Sequence, residues 1–363
     1  MKQIKKILIF SISIFFLLSC KKDKNLSLKY LDEYILKESA FFNNTLIGGL
    51  SGVDYTNGFY YFIVDDGNDP RFLKAKINIE NNKITNIKFY NVHHLKDTIS
   101  TFYKNNYFDL ESIFVDENTN EIHFVSEGNI AYNKPTFVFK TDSSGNFIKE
   151  FPLPKTLSHI QNMKHNATLE ASSKSANSKG FWVAMEGVLK SDGVDPTFTE
   201  TNSPIRLTYF DKQTGKATKQ FAYQLEKITK PAKGDVNLNG VTAILEYEEN
   251  KFFVVERTYQ NGYDVYGNII RVFKAEVTES TTNCIAIDSL KNTKFIALKK
   301  TLIFNFESIK DKLAHGFIDN IEGITFGPIL KNGNNTLLFV SDNNFQKYGK
   351  QLNQFILLEI TDK

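Results

Sequence analysis

Short apolar runs alternate with polar turns along most of the chain, in the pattern of antiparallel β-strands. Residues 137–140 and 147–151 flank an Asp-Ser-Ser-Gly turn, and residues 205–210 and 217–223 flank a Lys-Gln-Thr-Gly turn. Short runs rich in Phe, Ile, Val and Tyr, bounded by turn residues, predict strands that are joined as hairpins. The pattern therefore predicts an all-β protein.

A short motif recurs five times within this pattern. Each copy places a polar residue directly after an apolar one, and these polar residues are Ser51, Glu111, Glu170, Thr242 and Glu322. A turn then leads into a second β-rich run, and that run ends at an acidic residue in every copy. The terminal acids are Asp65, Glu127, Glu186, Glu256 and Asp342. Self-similarity at long intervals is typical of a repeat architecture.

Four strands per repeat predict a β-propeller of four-stranded blades, because most copies carry two further strand candidates after the acid. The fifth copy ends with residues 354–360, one strand short, while residues 30–42 precede the first copy and contain strand-forming side chains. We therefore expect the N-terminal strand to pair with the C-terminal strand and close the ring. Five blades are visible, residues 269–307 leave room for a degenerate sixth, and a β-sandwich with chance internal similarity is the alternative.

The recurring acids should meet at one mouth of the propeller channel, because the start of one strand and the end of the next lie at the same edge of an antiparallel pair. Crowded carboxylates raise one another's pKa or bind a hard cation, and calcium suits an exported protein. The predicted metal ligands are Asp65, Asp66, Glu111, Glu170, Glu186 and Glu322. The predicted catalytic acids are Glu127, Glu256 and Asp342. The alternative for Glu111, Glu170 and Glu322 is a structural role, in which they accept hydrogen bonds from backbone N–H groups of neighbouring blades.

Arginine is rare in this chain, with four residues among 44 basic ones, and two of the four follow terminal acids. Arg71 lies just past the Asp65 loop, and Arg257 directly follows Glu256. A planar guanidinium at either place could hold a phosphate or carboxylate by two-point contact. With His165, which precedes the third copy, they are the predicted substrate-binding residues. An ion pair with a nearby acid is the alternative for both arginines.

One further segment, residues 235–246, matches the calcium-loop pattern of an EF-hand. An EF-hand needs a helix on each side of its loop, whereas a hairpin of the repeat is predicted to follow this one. Calcium binding at this segment would therefore require a different geometry.

The N-terminus has the three parts of an export signal. Residues 1–19 begin with lysines, continue through an apolar run and end in Leu-Leu-Ser before Cys20. The apolar run is shorter than the roughly 20 residues of a membrane-spanning helix. We expect cleavage before Cys20, lipidation of Cys20, a short tether over 20–27 and a single propeller domain over 28–363. The lipid would attach the protein to the cell envelope, at the outer membrane or surface of a Gram-negative bacterium.

The charge of the mature protein excludes an electrostatic preference for nucleic acid. The chain has 44 basic and 41 acidic residues, but three of the lysines lie in the export signal, which leaves 41 of each. A neutral protein offers no basic surface that would attract a polyanion. Because Cys284 is the only cysteine besides Cys20, no intramolecular disulfide is expected, and we expect a monomer that is stabilised by its packed core.

These motifs together resemble the phytase-like domain family, which is described as having the esterase-like activity of phytase. The likeness covers most of the mature chain. It rests on Gly48-Gly49-Leu50-Ser51-Gly52 with Asp65-Asp66-Gly67, Asp109-Leu110-Glu111 with Ser126-Glu127, Leu169-Glu170-Ala171, Val255-Glu256-Arg257, and Ile321-Glu322-Gly323 with Ser341-Asp342-Asn343-Asn344-Phe345. The resemblance implies a propeller that hydrolyses phosphate or carboxylic esters, with calcium as the metal.

The resulting hypothesis is an exported, lipid-anchored propeller that hydrolyses a small-molecule ester or phosphoester with the help of a metal. The alternative is a non-catalytic propeller that binds a ligand, glycan or protein partner at the cell envelope. The alternative draws support from the sequence, which offers no identifiable nucleophile or general base.

Overall fold

The apolar alternation folds each of the five repeats into one antiparallel sheet. The computed structural model describes residues 26–95 and 100–362. The chain begins with β1 (Leu26–Leu36) and a small hairpin of β2 (Phe41–Phe42) and β3 (Thr45–Leu46). The strands that follow belong to the blades. They are β4 (Leu50–Thr56), β5 (Phe59–Val64), β6 (Arg71–Glu80) and β7 (Lys83–His94) in the first blade; β8 (Leu110–Val115), β9 (Ile122–Ser126), β10 (Phe137–Thr141) and β11 (Phe147–Phe151) in the second; β12 (Leu169–Lys174), β13 (Gly180–Met185), β14 (Pro204–Asp211) and β15 (Lys216–Gln224) in the third; β16 (Asn237–Glu248), β17 (Lys251–Gln260), β18 (Asn268–Glu276) and β19 (Lys299–Asn305) in the fourth; and β20 (Ile321–Phe326), β21 (Thr336–Ser341) and β22 (Asn353–Asp362) in the fifth.

Helices in the described residues are short and lie between blades or strands. They are α1 (Thr101–Asn105), α2 (Lys155–Ser158) and 3-10 turns at Ile130–Tyr132, Ile160–Asn162, Asp264–Tyr266, Phe306–Lys312 and Asn344–Gln346. No helix in this part of the chain is long and apolar enough to cross a membrane. The predicted export signal and Cys20 lie outside the described residues. Of the predicted tether, Leu26 and Ser27 are described, and both already belong to β1.

The five sheets are arranged as a closed β-propeller. The innermost strands β4, β8, β12, β16 and β20 each contact the next in this order, and β20 contacts β4. The segment 269–307 supplies β18 and β19 of the fourth blade, so the described chain has five blades and not six. The predicted fold class is confirmed, and the sandwich alternative is wrong.

The ring closes by pairing the two ends of the chain, as predicted. Strand β1 is the fourth strand of the fifth blade and pairs with β22 from Leu26↔Asp362 to Leu36↔Asn353. Shared backbone hydrogen bonds between the two ends leave no blade without its outer strand. The described ends of the propeller are thus held together by a full strand pair.

Apolar side chains on both faces of the blades form the core, because each sheet packs between two others. Strands β8, β9, β13 and β21 are buried at every residue, whereas the outer strand β11 alternates exposed and half-buried positions until Phe151. Aromatic rings fill much of the space between blades, as where Phe114 of the second blade packs against Phe181 of the third with ring centroids 5.3 Å apart. Burial of each such ring contributes about 1.5–3 kcal/mol.

The second residue of each motif copy is a β-bulge. In all five blades the pairing of the two innermost strands skips one residue, at Ser51, Glu111, Glu170, Thr242 and Glu322. A bulge bends its strand and re-aims the side chain of the extra residue. The motif that recurs in the sequence is therefore a backbone feature that all blades share.

Candidate functional site

The bulges and the strand ends that follow them surround one central cavity of about 920 Å³. Eight of the predicted carboxylates line it, namely Asp65, Asp66, Glu111, Glu127, Glu170, Glu186, Glu322 and Asp342. Asp109, Asp264 and Asp319 add three more, while Arg257, Lys347 and Lys350 are the cationic side chains of its described lining. The predicted convergence of acids at one end of the channel is thus found in the structure.

The first group of close carboxylates joins the first two blades. Oxygen atoms of Asp65, Asp109 and Glu111 lie within 4.8 Å of one another. Burial, together with the neighbouring Asp109, raises the pKa of Asp65 to about 8, and burial also raises the pKa of Asp109. The close approach of the two aspartates disfavours a state in which both are charged. Lys347 is the nearby cation that favours their charged forms.

The second group joins the second and third blades. Oxygen atoms of Glu127, Glu170 and Glu186 lie within 4.8 Å of one another. Glu127 also accepts a hydrogen bond of 3.0 Å from the backbone N–H of Thr168. Burial raises the pKa of all three, and the like charges of their neighbours raise the values for Glu127 and Glu170 further. Three carboxylates at this spacing cannot all be charged without a compensating cation.

Arg257, on the fourth blade, lies beside the second group. Its Nη2 lies 3.1 Å from Oε1 of Glu186, and its Nη1 lies 3.3 Å from Oε1 of Glu322 and also donates to Asn320. Burial lowers the pKa of Arg257, but Glu322, Glu186 and Glu170 outweigh that and raise it. Burial raises the pKa of Glu322 to about 7, even though Arg257 acts in the opposite direction. The guanidinium is therefore permanently charged and faces the cavity.

Asp342 lies in the same wall. It accepts a hydrogen bond of 2.6 Å from the backbone N–H of Asn344. Burial raises its pKa well above the ordinary value, and the neighbouring Glu322 and Asp65 raise it further. This carboxyl therefore takes up a proton more readily than an ordinary aspartate does.

Glu256 does not belong to the cavity, contrary to the prediction. Glu256 pairs with Val241 across the two innermost strands of its blade, and the equivalent position in two other blades is held by Ser126 and Ser341. Arg257 is therefore the residue of the fourth blade that corresponds to Glu127 and Asp342. Because successive side chains point to opposite faces of a strand, the one-residue difference turns Glu256 away from the channel. Its carboxylate is fully buried and accepts from Tyr223, Asn239 and Lys300 at 2.7–2.8 Å. Glu256 is a structural residue of the fourth blade.

Arg71 also lies away from the cavity. It is 3% exposed, its Nη1 is 2.9 Å from Oδ2 of Asp66, and its guanidinium stacks over the ring of Phe345. The ion-pair alternative therefore describes Arg71, and its predicted contact with substrate is not supported by its position. His165 does line the cavity, at its exposed rim.

Ser51 and Thr242, rather than the glutamates, make the structural contacts at the bulges. The hydroxyl of Ser51 donates to the carbonyl of Leu110 at 2.8 Å, and that of Thr242 donates to the carbonyl of Ile321 at 2.8 Å. Glu111 and Glu170 have no hydrogen bond to a backbone N–H among the described residues. The predicted structural alternative thus fails for these two carboxylates.

Asp109 and Lys347 are two of the cavity residues that the sequence did not predict. Asp109 stands just before the apolar residue of the second motif, where the other copies carry Gly49, Thr168, Gly240 and Asn320, and no recurrence singles it out. Lys347 follows the Asn343-Asn344-Phe345 turn, in which Asn344, Phe345 and Gln346 all have positive φ. The segment 235–246 forms no calcium loop, because β16 already begins at Asn237.

The donor set of the cavity fits a hard divalent cation. Calcium prefers six to eight oxygen ligands, including carboxylates, and both carboxylate groups supply such oxygens. A bound cation would also offset the repulsion that now raises the pKa of these acids. The described lining contains no cysteine, and its one histidine lies at the rim, so the donor set does not suit a soft metal.

Structural neighbours of the chain are distant. Hydrazine synthase from Kuenenia stuttgartiensis matches with 8% identity over 80% of this chain and 64% of its own, with a TM-score of 0.38. The exo-beta-1,3-galactanase from Phanerochaete chrysosporium matches with 9% identity over 92% of this chain and 64% of its own, with a TM-score of 0.45. The catalytic domain of the Coprinopsis cinerea GH62 alpha-L-arabinofuranosidase matches with 10% identity over 93% and 97%, with a TM-score of 0.42. This chain thus spans less than two thirds of the first two proteins.

Family membership follows from the sequence. No curated protein matches the chain. A family profile described as phytase-like, esterase-like activity of phytase, matches residues 45–345, which include all five motif copies and every carboxylate of the two close groups. The chain therefore belongs to the phytase-like family that this description names.

Proposed function

We propose that the protein is a divalent-cation-dependent hydrolase of a phosphoester or carboxylic ester, acting in the central cavity. One observation carries the proposal: two groups of three carboxylates, each with oxygens within 4.8 Å of one another, line the same cavity of about 920 Å³. Such crowding is costly without a cation. At the bulge positions of Glu111 and Glu170 an acid is also unnecessary for the fold, since Ser51 and Thr242 occupy these positions in two other blades. Calcium is the proposed ion.

The chain's own residues would divide the work. The group Asp65, Asp109 and Glu111 and the group Glu127, Glu170 and Glu186 would hold the cations, which supply Lewis-acid polarisation of the ester oxygen when bound. Arg257 would orient an anionic or carbonyl oxygen of the substrate, because its guanidinium is fixed by Glu186 and Glu322. Asp342, with its raised pKa, can donate a proton to the leaving oxygen.

The cavity lining bears on the type of reaction. Among the described lining residues there is no serine, threonine or cysteine, so an aliphatic hydroxyl or a thiol nucleophile is not at hand. Direct attack by water is therefore the proposed route, with a carboxylate of the cavity as the base. Carboxylates far outnumber cationic side chains, and this disfavours a highly phosphorylated substrate. We propose a substrate with a single ester or phosphate.

The non-catalytic alternative makes the opposite prediction in one assay. Purified protein is tested against p-nitrophenyl phosphate and p-nitrophenyl acetate with calcium and with EGTA. The proposal expects turnover with calcium, none with EGTA, and a loss of at least a hundredfold in Glu170→Gln. The matched control is Glu80→Gln, which removes an exposed carboxylate on β6 and should keep full activity. A folded protein that turns over neither ester with calcium would refute the hydrolase and leave the binding function.

We also propose that the protein works at the cell envelope, attached through lipidated Cys20. The supporting observation is the lysine-rich, apolar and Leu-Leu-Ser-Cys order of residues 1–20. Metabolic labelling with a fatty acid should mark the wild-type protein and leave Cys20→Ala unmarked. Equal labelling of both proteins would contradict lipidation at Cys20.

A further inference from the structure

The fourth blade extends beyond the other four at the cavity end. In the other blades the innermost strand begins at the apolar residue of the motif, at Leu50, Leu110, Leu169 or Ile321. Strand β16 begins at Asn237, four residues before the equivalent Val241, and β17 continues to Gln260. The extra length forms a wall that rises from the level of the carboxylates.

This wall presents a row of three side chains to the cavity. Leu238 pairs with Tyr259, and Tyr259 pairs with Asn268, so the three residues lie side by side across β16, β17 and β18. All three line the cavity. Arg257 precedes Tyr259 by two residues, so both side chains lie on the same face of β17, roughly 7 Å apart at about 3.4 Å per residue.

Asn268 carries the observation that points to a ligand. It is 7% exposed, and its Oδ1 is buried without a hydrogen-bond partner. A buried polar atom in a native protein is nearly always satisfied, and an unsatisfied one on a residue of the cavity lining calls for a partner from outside the chain. Gln351, also in the lining, has a buried Oε1 without a partner. Both atoms are acceptors, so the missing partner is a hydrogen-bond donor.

The rest of the row defines the kind of donor. Leu238 is 54% exposed, and Tyr259 is half-buried, so an apolar side chain and an aromatic ring lie next to the unsatisfied amide. Sites that combine an aromatic surface with a few polar groups bind ligands that have an apolar face and polar edges. A sugar ring has this character, since its C–H groups form faces and its hydroxyl groups, which can donate, lie at its edge.

We infer that the row of Leu238, Tyr259 and Asn268 is a subsite for a neutral sugar ring. The ring would pack on Tyr259 and Leu238, and its hydroxyl groups would donate to Oδ1 of Asn268. Because Tyr259 lies close to Arg257, a ring bound there would lie beside the carboxylates. It would then be the part of the substrate that carries the ester. That last step rests on the proposed function, whereas the binding of the ring does not.

The experiment measures sugar binding without catalysis. Saturation-transfer NMR is recorded on the purified protein in EGTA with the methyl glycosides of glucose, galactose, mannose, xylose and arabinose. At least one glycoside should bind, and its affinity should fall at least tenfold in Tyr259→Ala and in Asn268→Ala. Tyr132→Ala and Asn86→Ala are matched controls at exposed positions outside the cavity lining, and both should bind as the wild type does.

Three results would overturn the inference: no glycoside binds, binding survives Tyr259→Ala, or the controls lose binding equally. Absence of binding would mean that water satisfies Asn268. Should Asn268→Ala fail to fold, the half-exposed Tyr259 provides the decisive variant. Because EGTA excludes the metal-dependent reaction, the outcome of the sugar-binding experiment does not depend on the outcome of the hydrolase assay. Conversely, a variant that has lost sugar binding should still turn over simple esters.

Discussion

Replacing Glu170 by Gln should stabilise the metal-free protein and at the same time weaken its response to calcium. Glu170 is 6% exposed and shares its group with Glu127 and Glu186, with oxygens within 4.8 Å of one another. At an effective dielectric constant of about 20, two like charges at that distance repel by about 3.5 kcal/mol. Partial protonation of the group and the charge of Arg257 reduce this repulsion. The expected gain in unfolding free energy is therefore about 1–3 kcal/mol at pH 8.

Urea unfolding at 25 °C, with EGTA and with calcium, measures both effects. At a calcium concentration of 100 Kd, the wild type should gain about 2.7 kcal/mol for each bound cation, and Glu170→Gln should keep only the gain from the group of Asp65, Asp109 and Glu111. Glu80→Gln, the exposed control, should change either value by less than about 0.5 kcal/mol. If Glu170→Gln instead lowers stability in EGTA, the carboxylate serves the fold, and the argument that it is held there for a cation is wrong.

Three further outcomes are expected. In EGTA the unfolding free energy should fall as pH rises from about 4 to about 8. The pKa of Asp65 is about 8 in the folded state against an ordinary 3.8, so over this range the folded protein binds a proton that the unfolded protein has lost. Urea midpoints at pH 5 and pH 8, measured in EGTA and in calcium, test this. Arg206→Met should cost about 3–5 kcal/mol in urea unfolding, since it strands the fully buried Asp192, and adding Asp192→Asn should restore part of the loss. Gly49→Ala should cost at least about 1 kcal/mol by the same measurement, because φ is 63° there and a Cβ would lie 2.5 Å from the ring of Phe345.

The fold could be predicted because it depends on patterns that survive in a single sequence. Alternating apolar residues and turn residues specify strands, and five copies of one motif specify blades. The short fifth copy and the strand-forming N-terminus predicted the closure between β1 and β22. The number of blades stayed open because the segment between β18 and β19 is long, and its length alone does not distinguish a loop from a degenerate blade.

The site was predicted less completely because register decides which side chains face the cavity. A shift of one residue moves a side chain to the other face of a strand, so Arg257 faces the cavity as predicted and Glu256 does not. Ser126 and Ser341, which directly precede the cavity acids of their blades, were the signal that could have placed Glu256 correctly. Asp109 could not be found in this way, because none of the equivalent residues in the other blades is acidic; they are Gly49, Thr168, Gly240 and Asn320.

The bulges explain how a repeated fold produces an asymmetric site. Their backbone geometry is common to five blades, so the side chain of the extra residue is free to differ. Where this side chain ends in a hydroxyl, as in Ser51 and Thr242, it donates a hydrogen bond to the backbone carbonyl of the motif's apolar residue in the next blade. Such a bond contributes about 0.5–1.5 kcal/mol. Glu111 and Glu170 give up this bond and add like charge to a buried cavity, which is destabilising on both counts. Positions that break a local rule in this way are expected at functional sites. The two hydroxyl blades therefore show what the fold requires at the bulge, and the acidic blades show what the cavity requires.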